Sequence, residues 1–183
     1  METSVSLLIM TRMKRKPDGP EELAAVLQKR GEFNHETMGP ESWAGACQIT
    51  VHGKVEPGET KIATLYREIL EELGGKFTPD GRAQENITSN MVEIGRVDKP
   101  NKAIIHYAIE ILPARLKLIR LNASTGGLRL VFRSDLPEIQ PLPNHAANKA
   151  DGVFARQAIA MFPDEIEALK AAFAHFEKKK TAD

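Results

Sequence analysis

Apolar residues recur along this chain in two ways: short alternating or continuous runs that mark strands, and a 3.6-residue recurrence that marks helices. Val5 to Met13 is the first run, and Lys16-Pro17-Asp18-Gly19-Pro20 follows it as a turn. The next, Leu23 to Arg30, is ambiguous, because Pro20-Glu21-Glu22 could equally open a helix. A polar loop from Gly31 to Pro40 precedes Trp43 to Val51, whose closing Gln48-Ile49-Thr50-Val51 alternates and carries β-branched residues, as a strand does. Further on, Met91 to Val97 and Ala103 to Leu112 read as strands. Arg115 to Leu121 with Leu128 to Phe132 reads as a hairpin around Ser124-Thr125-Gly126-Gly127.

Helical recurrence appears clearly twice. Ile62, Leu65, Tyr66, Ile69 and Leu73 share one sector of a helix that follows the Pro57-Gly58 turn, takes Thr60 as its N-cap and stops at Gly74-Gly75. From about Pro163 to Lys179, Ile166, Leu169, Phe173 and Phe176 form a second apolar stripe, and Lys178 to Lys180 suit the negative end of the dipole. Strands interleaved with helices predict an α/β chain with a mixed β-sheet, the second helix covering one sheet face.

The first helix carries the chemistry. Glu68, Glu71 and Glu72 stand at i, i+3 and i+4, so three like charges share one patch, which costs helix stability unless a hard cation with several oxygen ligands relieves the repulsion. At about 100° per residue this acidic sector lies roughly 120° round from the apolar one, at the rim of the core and within reach of a cleft. Arg67 precedes the first acid, where its guanidinium fork can hold Glu59 or one of the clustered acids in one rotamer.

The stretch from Gly53 to Gly75, GKVEPGETKIATLYREILEELGG, resembles the Nudix box. That pattern runs Gly, five residues, Glu, seven residues, Arg-Glu, an aliphatic, any residue, Glu-Glu, any residue, Gly, an aliphatic. Gly53, Glu59, Arg67, Glu68, Ile69, Glu71, Glu72 and Gly74 match it; Gly75 stands where an aliphatic is usual, and His52 where glycine is commoner. The resemblance implies a Nudix-type α/β/α sandwich spanning residues 1–183 as a single domain, with Leu23 to Arg30 a strand ahead of the box.

The resemblance also implies hydrolysis of a diphosphate bond in a nucleoside diphosphate linked to another group. Mg2+ or Mn2+ would be held by Glu68, Glu71 and Glu72, neutralising phosphoryl oxygens and lowering the pKa of bound water. Glu59 would support that site through water or through Arg67. Many Nudix enzymes draw a further acid from outside the box, yet no acid lies between Ile111 and Ser134, which leaves Glu110, Asp135 and Glu138, with Glu138 ranked first. Arg115, Lys117, Arg120, Arg129 and Arg133 either line a polyphosphate site or cover a solvated strand face. His52 is better read as a structural strand-end residue than as a phosphate contact, and Trp43, Phe33 and Phe132 as core or rim than as base-stacking groups. The alternative is a catalytically inactive Nudix-fold module that binds a nucleotide or a protein; the intact acids favour the enzyme.

Composition narrows the partners. The 25 basic and 25 acidic residues balance, which argues against bulk attraction to nucleic acid or anionic membrane. The lone cysteine, Cys47, excludes an intramolecular disulfide, and its apolar neighbours place it in a buried strand. Val5 to Met10 is far too short to span a bilayer. A soluble cytoplasmic protein is expected, and the family prior adds a possible homodimer.

Overall fold

The computed structural model describes residues 1–34, 37–78, 81–122, 125–142 and 159–180. Alternation in the first apolar run makes β1 (Glu2–Lys14) the central strand: Val5, Leu7 and Ile9 face one way, Leu8 and Met10 the other, all fully buried. β2 (Glu21–Arg30) is a strand, as the resemblance implies, and its residues Ala24 to Leu27 are buried on both faces, as befits a strand inside a covered sheet. The polar loop holds a two-residue ladder of β3 (Phe33–Asn34) with β4 (Gly39–Pro40).

Beyond it come β5 (Cys47–Ile49), β6 (Val51–Lys54), α1 (Lys61–Leu73) and α2 (Gly81–Asn90). β7 (Val92–Lys99), β8 (Lys102–Ile111), the short α3 (Pro113–Leu116) and β9 (Thr125–Phe132) follow. A 3-10 turn at Arg133–Glu138 then leads through β10 (Ile139–Pro141) and β11 (Ile159–Met161) to α4 (Pro163–Lys180).

The seven-stranded sheet is mixed. β8 runs parallel to β1, from Glu2 opposite Lys102 to Thr11 opposite Ile111, and the sheet's other pairings are antiparallel. On its other edge β1 is shared, Ser4 to Leu7 pairing with β6 and Ile9 to Lys14 with β2. Thr50 stands at that handover. Its hydroxyl accepts from the Ile9 N–H at 3.0 Å and donates to the Val26 carbonyl, so the break in the ladder leaves neither backbone group orphaned.

Leu65, Ile69 and Leu73 of α1 pack with Val5, Leu7, Ile9 and Val51 on one face; Ile166, Leu169, Phe173 and Phe176 of α4 pack with Leu8, Met10, Leu27 and Ile49 on the other. The result is an α/β/α sandwich, and each aliphatic side chain fully withdrawn from water contributes about 1.5–3 kcal/mol to it. Cys47 is buried beneath α4 as expected, and burial pushes its thiol up to about 11. None of the described helices is long and apolar enough to cross a membrane.

Two expected elements differ. Trp43 to Val51 is not one strand: Trp43 sits in a turn at φ 60°, buried edge-to-face against Phe162 with ring centroids 6.2 Å apart. Arg115 to Leu121 is not a hairpin arm. Pro113 opens α3, the three-residue step from Leu116 to Ile119 turns both side chains into the α1-side core, and β9 pairs with β2 instead. Helix α2 has no counterpart in the sequence reading; Ile87 is its buried contribution to the core.

Candidate active site

Local chemistry fixes where α1 begins and ends. The Thr60 hydroxyl accepts from the Ala63 N–H at 3.1 Å, Gly58 supplies φ 87° in the preceding turn, and Gly74, at φ 81°, closes the helix with its N–H on the Leu70 carbonyl. With the apolar stripe docked on β1 and β6, the acids emerge at the sheet edge. Glu68 is only 12% exposed and Glu71 57%, while Glu72 is half-buried. Gly53 of β6 makes room for this: a Cβ there would fall on the Glu68 carboxylate.

Arg67 ties the loop to the helix. Its Nε and Nη2 donate to the two oxygens of Glu59 at 3.0 and 3.1 Å, Nη1 donates to Glu68 Oε1 at 2.6 Å, and Nη2 also reaches the Lys54 carbonyl at 3.0 Å. Glu71 lies 3.6 Å from Nη1. Glu59 accepts further bonds from Thr64 Oγ1 at 2.9 Å and from the Glu56 N–H at 3.2 Å. The Arg67 fork, reinforced by these donors, holds the Glu59 carboxyl down to about 2.

Glu72 is placed differently. It accepts from Gln28 Nε2 at 3.2 Å and from the His52 backbone N–H at 3.4 Å. Burial outweighs both and pushes its carboxyl up to about 8; burial also raises Glu68, against the pull of Arg67. Among the described residues no three His, Cys, Asp or Glu side chains already converge on one point. The donor set still fits a hard cation, since Mg2+ is commonly held by one or two carboxylates completed by water and substrate phosphates.

One cavity adjoins Glu72 and a second adjoins the first. A polar cleft of about 200 Å3 runs from Glu72 past Gln28, Gln48, Arg30 and Glu41. A second cavity, of about 320 Å3, opens towards the start of α4 and shares Arg30 and Gln48 as walls; His52, His106, Phe162 and Glu165 also line it. His106 Nδ1 is bonded to Ser6 Oγ at 2.7 Å, whereas His106 Nε2 and Glu165 Oε2 are buried without a hydrogen-bond partner. Burial, with Asp164 adjacent, pushes Glu165 up to about 8, and burial lowers His52 to about 4.

With this geometry in place, comparison with known proteins is decisive about kinship. The NUDIX domain family matches residues 3–118. The chain belongs to that family. With every acid of its box present, it is a Nudix-type hydrolase. No curated protein matches it in sequence. Solved structures share its fold at low identity. A mutT/nudix family protein from Listeria innocua is 17% identical with a TM-score of 0.62, covering 100% of this chain and 98% of that one. The NUDIX domain of Shewanella oneidensis NrtR, solved with ADP ribose, is 12% identical with a TM-score of 0.55, over 95% of this chain and 87% of that one. A C. elegans Ap4A hydrolase is likewise 12% identical at 0.55, over 97% and 99%.

The Nudix fold gathers Glu59, Arg67, Glu68, Glu71 and Glu72 as the box implies, but not Glu138. That residue is exposed on the 3-10 turn, and Ile139 beside it packs under α4, in the layer opposite α1. The other outside acids are engaged elsewhere: Glu110 with Arg12 at 2.8 Å, and Asp135 with Arg15 at 2.7 Å and as a cap on the Phe132 N–H. The basic residues do not line one surface either. Arg115 donates to the Phe77 carbonyl at 2.6 Å, Arg120 to the Lys117 and Ile119 carbonyls, and Arg133 pairs with Glu177. Gln28, Arg30, Gln48, His106 and Glu165 were missed. Their one signal is a polar residue inside an apolar run, as in Leu27-Gln28, Cys47-Gln48-Ile49 and Ile105-His106.

Proposed function

We propose that this Nudix hydrolase cleaves the diphosphate bond of a nucleoside diphosphate linked to another group, with Mg2+ or Mn2+ held by Glu68 and Glu72 and, from the solvent side, Glu71. The observation that carries this reading is the paired placement of Glu68 and Glu72. Both are carboxylates whose charged form burial disfavours, and Glu72 stands at the end of a polar cleft. Isolated buried anions are costly, and a divalent cation removes that cost. When bound, the metal neutralises phosphoryl oxygens and supplies water of lowered pKa; water attacks phosphorus and the bridging anhydride P–O bond breaks. Arg67 and Glu59 hold Glu68 and the preceding loop in register, and Gly53 leaves the space in which Glu68 lies.

The α4-side cavity supports a substrate that carries a heterocycle. His106 Nε2 and Glu165 Oε2 are buried polar atoms awaiting partners, and the raised Glu165 carboxyl keeps a proton to donate near neutral pH. Arg30 and Gln48 join that cavity to the cleft ending at Glu72, so one extended molecule can reach both. ADP ribose and Ap4A, named with two of the structural relatives, are of this class. The test is product release from a panel of nucleoside diphosphate derivatives with Mg2+ or Mn2+. Glu72→Gln is expected to lower kcat by more than about a hundredfold, beyond the 10–100-fold typical of outer-shell changes. Unchanged turnover in that variant would sink the assignment, and ligand binding with no turnover by the wild type would favour a binding module.

A further inference from the structure

Gln28 and Gln48 sit within apolar strands, and Gln28 is only 3% exposed. A buried primary amide can present either its carbonyl oxygen or its NH2 to a neighbour at almost no change of shape, so its partners decide which. Gln48 Nε2 donates to Gln28 Oε1 at 2.7 Å, which leaves Gln28 Nε2 to donate to Glu72 Oε2 at 3.2 Å. Gln48 is oriented in turn by Arg30, whose Nη1 donates to Gln48 Oε1 at 3.0 Å. A guanidinium has no acceptor, so it can impose only that direction. Arg30 itself is held by Glu41 Oε1 at 2.5 Å and the Ser42 carbonyl at 2.8 Å, and Asn34 Nδ2 steadies Glu41 at 3.0 Å.

From Arg30 Nη1 through Gln48 Nε2 to Gln28 Nε2, each donor points towards Glu72. We propose that Gln28 and Gln48 are positioning residues, a relay of two amides directed by Arg30 that presents the Glu72 carboxylate to the divalent cation in a single orientation. Reversing Gln28 would set a carbonyl oxygen against the carboxylate, and reversing Gln48 would set one against the Gln28 carbonyl and press Gln28 to reverse as well. The relay rests on the reading of Glu72 as a metal ligand. Nothing adjacent in sequence hints at it, since Gln28 and Glu72 are 44 residues apart and Gln28 and Gln48 20.

The experiment is an electron paramagnetic resonance titration of metal-free protein with Mn2+, alongside kcat, KM and the Mg2+ concentration for half-maximal turnover. Gln28→Met and Gln48→Met are neutral and of similar length. Gln28→Met is expected to weaken Mn2+ binding about 10–100-fold, the usual range for an outer-shell partner. Gln48→Met should weaken it several-fold although Gln48 does not touch Glu72. On a Glu72→Gln background, Gln48→Met should change Mn2+ affinity no further, because the relay then ends on no carboxylate. If Gln48→Met folds poorly, Gln48→Glu keeps the acceptor for Arg30 but has no N–H for Gln28, and the same weakening is expected. Wild-type Mn2+ affinity in the Gln48 variants, with affinity lost in Glu72→Gln, would overturn the relay and leave the metal assignment standing. Wild-type affinity in Glu72→Gln would overturn both.

Discussion

Gly53 is dictated by a contact rather than by its own backbone, for the space a side chain would need there is occupied by the Glu68 carboxylate. Gly53→Ala is therefore expected to displace Glu68 and to cost about 1–3 kcal/mol of stability, as overpacking does, with a larger relative loss of turnover. Thermal denaturation and kcat measured together would check this, and an alanine variant with wild-type kcat would refute it. Arg67 was legible as an orienting group because it directly precedes the acids, and the structure gives it Glu59 and Glu68 as partners. Gly75, where the box usually has an aliphatic, is exposed, and Phe77 two residues later is fully buried in the α1-side core. Gln28, Gln48 and Glu165 were not legible. Their meaning lies in partners that only the folded sheet supplies.

At the scale of elements, legibility followed how much of the information was local. α1 was readable from cap to stop because Thr60, the apolar stripe and Gly74 all sit within one short stretch. Its cap is testable: Thr60→Ala removes the acceptor for the Ala63 N–H and should cost about 1 kcal/mol, a fall in Tm of roughly 2–4 °C. An unchanged Tm would mean water replaces the hydroxyl without loss. β2 was ambiguous because a run buried on both faces has no period to read, and only its pairing with β1 and β9 decides it. The expected hairpin failed at Pro113, which presets a helical turn at its own position, and at Leu116 and Ile119, whose spacing suits a turn as well as a strand. α2, Gly-Arg-Ala-Gln-Glu-Asn-Ile-Thr-Ser-Asn, has too few apolar positions to announce itself.

For the molecule as a whole, the buried acids set a pH dependence. Burial lifts Glu165 from 4.5 to about 8, so between those values the folded chain keeps a proton that the unfolded chain has lost, and stability falls as pH rises through that window. Glu72 contributes in the same sense while no metal is bound. Glu165→Gln should flatten the metal-free Tm profile between about pH 4.5 and 8, gaining on the order of a few kcal/mol at the upper end. A profile parallel to the wild type would remove Glu165 from this account. One feature of the sheet reaches beyond the native state. During synthesis β1 precedes its parallel neighbour β8 by about a hundred residues, Glu2 facing Lys102 and Thr11 facing Ile111. Joining segments so far apart pays loop-closure entropy before any pairing rewards it, so the nascent chain must carry Val5 to Met10 with one edge bare until Ile111 has appeared. In that interval the bare edge of an apolar strand is open to pairing with another chain.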